Sequence, residues 1–101
     1  MASFNTVNAS LTAQNTFSPW KTLRRGGIVT LEGTWAGTVS IQRRGNDGNT
    51  VDVTNNAGLA ITMTGNGTYS IDPQEFGGDY RFGFKTGNYT SGTLTGMLEG
   101  R

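Results

Sequence analysis

The sequence predicts an all-β protein, an antiparallel β-sandwich of about seven or eight short strands. Apolar and polar residues alternate over short stretches, which is the period of a strand with one face on a core. Turn-forming residues, among them 16 glycines, separate these stretches at spacings of about ten residues. No stretch keeps a helical period for more than about one turn. A jelly roll and an immunoglobulin-like Greek key both fit this pattern.

The chain of 101 residues is expected to form a single domain. Residues 1–25 are predicted to be an N-terminal arm and a first extended segment, ahead of a sandwich core over residues 26–101. Residues 1–10 are polar with isolated apolar positions, so they are interpreted as an arm or a frayed first strand.

The segment after residue 10 is predicted to be extended, because Pro19 interrupts any continuing ladder of backbone hydrogen bonds. Phe17 and Trp20 flank this proline and are expected to anchor the segment at the edge of the core. A loop with two basic residues, Arg24 and Arg25, follows.

A hairpin is predicted within Gly33–Val53. Val39 and Ile41 alternate with polar neighbours, and a second short alternation covers Val51–Val53. Asp47-Gly48 between them is a strong hairpin signal, because both residue types tolerate the positive φ of a tight turn.

Further strands are predicted by the same alternation. Gln74–Gly78, between two of them, is expected to be a loop or a single helical turn. In the strand that follows, Tyr80, Phe82 and Phe84 share one face. The predicted strands are 28–33, 59–64, 68–71, 79–86 and 93–98.

The composition argues against catalysis and cofactors. The chain has no cysteine and no histidine, which removes disulfides, thiolate chemistry and the commonest general base. Glu32 and Asp52 lie on predicted strands and are candidates for a carboxylate pair, but a cleft for a sugar ring would consume the core of so small a domain. We therefore expect no catalytic residues, no cofactor and no metal site. Asp47, Asn49 and Asp52 loosely match a calcium loop, but their spacing departs from that pattern and hairpin turn chemistry explains residues 46–49 fully.

The charge balance argues against nucleic acid as a partner. The net charge is +1, from eight basic and seven acidic residues. The basic side chains are expected to pair with acids of neighbouring strands or with a partner subunit, rather than to line a nucleic-acid stacking surface with Trp20, Trp35 and Tyr80. These basic residues are Arg24, Arg25, Arg43, Arg44, Arg81 and Lys85. No apolar run reaches the roughly 18 residues needed to span a membrane, and residues 1–5 do not resemble a secretory signal. Synthesis in the cytoplasm is expected.

Two further aromatic residues are candidates for contacts. Trp35 lies between two glycines and is expected to cap the open end of its own core. Tyr89 lies in a predicted turn, where it suits a sugar ring, a neighbouring subunit or its own core equally.

Two stretches, Gly33–Arg44 with Asp47-Gly48-Asn49 and Tyr80–Thr93, resemble small β-sandwich structural proteins of tailed bacteriophages. The resemblance covers roughly residues 26–98. It implies a virion component without enzymatic activity: a head decoration (cement) protein, a head fibre or a small tail protein.

The resemblance implies the major capsid protein or other virion proteins as partners, a homo-oligomer with a trimer favoured, and a location in the virion. Residues 1–20 and the basic loop 21–27 are expected to mediate attachment or assembly. The alternative is a carbohydrate- or receptor-binding module that uses Trp35, Tyr69 and Tyr89 as stacking platforms. The interaction candidates are Phe17, Trp20, Arg24, Arg25, Trp35 and Tyr89.

Overall fold

The computed structural model describes residues 5–23, 26–44, 48–54, 59–71 and 78–100. These residues form ten β-strands and no helix, so none of them lies in a helix that could span a membrane. The strands are β1 (Asn5–Leu11), β2 (Thr16–Phe17), β3 (Lys21–Leu23), β4 (Gly27–Gly37), β5 (Val39–Arg44), β6 (Thr50–Asp52), β7 (Thr62–Met63), β8 (Gly67–Ile71), β9 (Gly78–Phe84) and β10 (Tyr89–Gly100).

The strands form two antiparallel sheets that pack on each other. Sheet A has the order β1-β10-β4-β8, and sheet B has the order β2-β9-β5-β6. In sheet B, β3 also pairs with β9 and β7 also pairs with β5. The predicted all-β sandwich is confirmed, with about ten strands instead of seven or eight. The difference arises at the edges of sheet B, where β2, β3, β6 and β7 are only two or three residues long.

The core lies between the inner faces of the two sheets. Leu94 and Leu98 of β10 contribute from sheet A, while Phe82 and Phe84 of β9 contribute from sheet B, and all four are fully buried. Tyr80 is buried on the same face as these two phenylalanines, as the alternation predicts. Burial of such side chains contributes about 1.5–3 kcal/mol each to stability.

Gly96 of β10 makes room for one of the aromatic rings of the core. A Cβ atom at this position would lie 2.5 Å from the Cε2 atom of Phe82 in the other sheet. Gly96 pairs with Leu31 on one side and with Ala9 on the other. The absence of a side chain at Gly96 therefore lets the ring of Phe82 fill the centre of the sandwich.

The N-terminal segment takes part in both sheets. Residues 5–11 form β1, which pairs with β10 along its whole length and buries Leu11. Of the two interpretations of residues 1–10, the strand is therefore correct for residues 5–10. Gln14, in the connection to β2, accepts hydrogen bonds from the backbone N–H groups of Gly87 (2.8 Å) and Tyr89 (3.1 Å).

The predicted hairpin is confirmed, because β5 and β6 pair in antiparallel register with Gln42 opposite Asp52. Gly48 in the connection has a φ of 80°, the left-handed conformation expected of a turn glycine. Asp47 lies outside the described residues, as do residues 74–77 of the predicted loop or helical turn.

The longest strands extend beyond their predicted bounds. β4 continues to Gly37 and β10 begins at Tyr89, so Trp35 and Tyr89 lie in strands. The two strands pair with each other, with a register shift between Tyr89 and Ser91. These stretches are rich in glycine and threonine, so they show no apolar alternation. Because the predicted bounds were drawn from that alternation, the predicted strands were too short.

Substitution of Gly96 by alanine tests the packing of the core. We expect Gly96→Ala to lower the free energy of unfolding by about 1–3 kcal/mol, because the added methyl group overlaps the ring of Phe82. The control is Gly65→Ala, where a Cβ atom would have no neighbour within 4 Å. Denaturant unfolding of the two variants is the measurement, and equal effects would contradict this packing.

Candidate functional site

The outer face of sheet B carries a cluster of aromatic and arginine side chains. Strand β9 alternates, so that Arg81 and Gly83 point away from the core while Phe82 points into it. Phe17, Trp20, Arg44 and Arg81 meet on this outer face. We call these four residues the aromatic–arginine face.

Phe17 reaches this face because Gly83 lies opposite it. β2 pairs with the end of β9, with Phe17 opposite Gly83. A Cβ atom at Gly83 would lie 2.3 Å from the backbone oxygen of Thr16 and 2.7 Å from the ring of Phe17. Only glycine therefore lets β2 and the Phe17 ring approach β9 this closely.

Ser18 lies between Phe17 and Trp20 in the chain and hydrogen-bonds this segment to β9. Its backbone N–H donates to the carbonyl oxygen of Phe82 (2.8 Å), and its hydroxyl accepts from the backbone N–H of Phe82 (3.1 Å). Ser18 is buried, with 4% of its surface exposed. This double contact continues the pairing of β2 where Pro19 cannot donate, and it fixes the start of the segment that carries Trp20.

Two guanidinium groups stack on the aromatic rings. The Cζ atom of Arg81 lies 4.0 Å from the ring centroid of Phe17 and 4.5 Å from that of Trp20. The Cζ atom of Arg44 lies 4.4 Å from the ring centroid of Trp20. Each contact of this kind contributes about 0.5–1 kcal/mol at an exposed site and about 2 kcal/mol where it is desolvated. The rings thus hold both cations in fixed positions.

A chain of hydrogen bonds orients Arg81. Its Nε–H donates to Oε1 of Gln42 (2.9 Å), and the Gln42 Nε2 atom donates to Oδ1 of Asp52 (3.2 Å). Lys85 completes the chain with a 2.7 Å ion pair to the other carboxylate oxygen of Asp52. Gln42 is 9% exposed on the outer side of the sheet, so these side chains cover it.

The two carboxylates of this face both have basic partners. The Lys85 ammonium group lowers the pKa of Asp52 by its hydrogen bond, against the opposing effect of burial. A hydrogen bond from the Thr22 hydroxyl and a 3.0 Å ion pair with Arg44 lower the pKa of Asp79. For Arg44 and Lys85 the structure confirms the predicted pairing with acids of neighbouring strands.

Arg81 differs from these two basic residues. In the part of the chain that the structure describes, no carboxylate forms an ion pair with it. Burial lowers its pKa, and the nearby positive charge of Arg44 lowers it further. A guanidinium group held between two rings without a counter-charge favours the approach of an anion.

Trp35 and Tyr89 lie together at one end of the core, away from the aromatic–arginine face. Both rings pack edge to face against the buried ring of Phe84, with centroid distances of 5.7 Å and 5.2 Å. The Trp35 Nε1–H donates to Oδ1 of Asn66 (2.7 Å), and the Tyr89 hydroxyl donates to the carbonyl oxygen of Gly92 (2.7 Å). Trp35 therefore caps its own core as predicted, and Tyr89 has the same structural contact.

The structure thus divides the predicted interaction residues into separate groups. Phe17 and Trp20 lie on the aromatic–arginine face, Trp35 and Tyr89 cap the core, and Arg24 and Arg25 lie outside the described residues. The arginines of the face were absent from that prediction, because two basic residues on alternating strands look like ordinary surface charges. The available signal was the place of Arg81 between the apolar residues Tyr80 and Phe82, which puts it on the opposite face of the strand.

The carboxylates considered for catalysis lie in different sheets. Glu32 is exposed in β4 of sheet A, whereas both Asp52 oxygens are bonded on the outer side of sheet B. The two side chains therefore cannot face each other across one cleft. Among the described residues, no group of three or more acidic, histidine or cysteine side chains is placed to hold a metal ion.

Comparisons with protein-family models, with curated proteins and with solved structures found no match.

The paired carboxylates make stability depend on pH. Because the folded-state pKa of Asp52 and that of Asp79 lie below their unfolded values, each contributes stability above pH of about 4 and loses it as the pH falls through the folded-state value. We expect Asp52→Asn to reduce the loss of unfolding free energy between pH 6 and pH 3, measured by urea denaturation. At pH 6 the substitution should lower the free energy of unfolding by about 0.2–1 kcal/mol, as for other partly exposed ion pairs.

A double variant sharpens this measurement. Asp52→Asn with Asp79→Asn removes both lowered pKa values, so its stability should vary less with pH than that of either single variant. A pH dependence equal to that of the unaltered chain would contradict these ion pairs.

Proposed function

We propose that this protein is a non-enzymatic structural component of a phage virion, a head decoration protein that binds the head and stabilises it through subunit contacts. The resemblance of Gly33–Arg44 and Tyr80–Thr93 to small phage β-sandwich proteins supports this proposal. The contact surface that the geometry favours is the aromatic–arginine face. Its partners are the major capsid protein or another virion protein and further copies of the chain, with a trimer as the proposed assembly.

The observation that carries the proposal is the stacking of Arg44 and Arg81 on the ring of Trp20. Tryptophan and arginine are the residues most enriched among those that dominate protein–protein binding. Because stacking and hydrogen bonds already fix these side chains, a partner would find them ordered and lose less conformational entropy on binding.

A carbohydrate-binding module is the second candidate function. An open groove of about 470 Å³ lies beside Asn66 and is lined by hydroxyl, amide and carboxylate groups, among them Thr30, Glu32 and Thr68. Such groups suit the hydroxyls of a sugar. Tyr69, one of the stacking platforms proposed for a sugar ring, supports this function less. Its hydroxyl donates to the carbonyl oxygen of Gly65, and its ring packs against the core.

Substitution of Trp20 tests the proposed function. We expect Trp20→Ala to reduce occupancy on virus particles at least about tenfold, since it removes the ring that orders both arginines. Occupancy is measured by quantitative mass spectrometry of purified particles. Val51→Ala, which shortens a 52% exposed side chain, is the control. Full occupancy of folded Trp20→Ala would contradict the proposal.

A glycan array separates the two candidate functions. The decoration protein should bind no glycan on the array, because its contacts are with protein. Glycan binding that is lost on substitution of Asn66 or Glu32 in the groove would favour the carbohydrate-binding module instead.

A further inference from the structure

The described strands of the two sheets differ in the sign of their net charge. In the described residues, every lysine and arginine belongs to strands of sheet B or directly follows one: Lys21, Arg43, Arg44, Arg81 and Lys85. Sheet A carries only two charged side chains in the same part of the chain, Glu32 and Glu99. Among the residues that the structure describes, sheet A is therefore acidic and sheet B has an excess of positive charge.

Glu32 is an exposed carboxylate on the outer side of sheet A. Its neighbour Leu31 is buried, so the alternation of β4 directs Glu32 away from the core. Its cross-strand partner is Thr95, and no basic side chain forms an ion pair with it among the described residues. A carboxylate in these surroundings is available to a cation from another molecule.

The groove described above lies beside Glu32. β8 begins at Gly67, opposite Leu31, whereas β4 continues to Gly37. This length difference leaves an open groove lined by Glu32 and the start of β8. A protruding aromatic side chain of a partner could enter this groove without disturbing the sheet.

Arg81 and Glu32 are thus complementary but lie on opposite sides of the same molecule. Arg81 is held by the rings of Phe17 and Trp20 and by Gln42, and it has no carboxylate partner among the described residues. A guanidinium group fixed in this way suits bidentate binding of a carboxylate. The two groups can pair only between molecules.

We propose that the aromatic–arginine face of one copy docks on the outer side of sheet A of a second copy, where Arg81 binds Glu32 beside the groove. This inference rests on the proposed function, because it assigns a specific occupant to the contact surface named there. The two surfaces differ, so the contact is head to tail and forms a closed ring when the rotation between copies allows it. Otherwise the same contact forms an open chain of copies.

A second copy fits this face better than an unrelated acidic partner does. The outer side of sheet A around Glu32 carries hydroxyl groups from Ser10, Thr30 and Thr95, which hydrogen-bond without adding charge. Docking therefore pairs the two groups that lack an ion-pair partner among the described residues, and the hydroxyl groups around Glu32 supply neutral contacts beside them.

A charge exchange tests the proposal in solution. The unaltered chain should self-associate in sedimentation experiments over a concentration series, and the association should weaken as salt is added. Glu32→Arg and Arg81→Glu should each weaken association at least about tenfold, because each places like charges opposite each other. The variant that combines both substitutions should recover most of the association.

Lys21→Glu is the matched control, because it changes the net charge by the same amount as Arg81→Glu at a residue outside the proposed pair. A variant that combines Lys21→Glu with Glu32→Arg should not recover association. Glu32 is exposed, so Glu32→Arg leaves the fold intact and decides the matter even where Arg81→Glu fails to fold.

A monomer at every concentration, or undiminished association of Glu32→Arg, would overturn the inference. The inference would also be overturned if the variant that combines Glu32→Arg with Arg81→Glu folds but does not recover association. Loss of Trp20→Ala from particles together with a monomeric unaltered chain would leave the proposed function standing and remove only this inference.

Discussion

The alternation of β9 is the constraint on which the rest of the structure depends. One side of this strand places Tyr80, Phe82 and Phe84 in the centre of the core, and the other side places Arg81 on the outer face of sheet B, where β2 covers Gly83. Its backbone pairs with β5, β2 and β3. A one-residue slip would exchange the two sides, so the burial of three aromatic rings also fixes the position of Arg81.

The surface cluster is connected directly to the core strand. Ser18 hydrogen-bonds the backbone of Phe82, whose ring fills the space left by Gly96 in the opposite sheet. Packing at the centre of the sandwich and the order of the aromatic–arginine face are therefore connected through one residue of β9. This arrangement suits a protein whose function is contact with other subunits, since the contact surface is in place before a partner arrives.

Sequence reasoning predicted the sheets well and the surface cluster in part. The hairpin and the inward face of β9 were predictable, because apolar alternation and turn residues determine them locally. The pairing of β2 with β9 joins residues far apart in the chain, and it depends on the close approach that Gly83 permits. Alternation also gave no means of telling Arg44, which has an acidic partner, from Arg81, which has none among the described residues.

The most direct measurement of the central claim uses Trp20 as a reporter of the aromatic–arginine face. Because the chain has two tryptophans, a Trp35→Phe variant leaves Trp20 as the only fluorescent indole. Its quenching by acrylamide is compared between the free protein and the protein assembled on particles. Contact through this face predicts that assembly protects Trp20 strongly from the quencher. Equal quenching in the free and assembled protein would contradict the account.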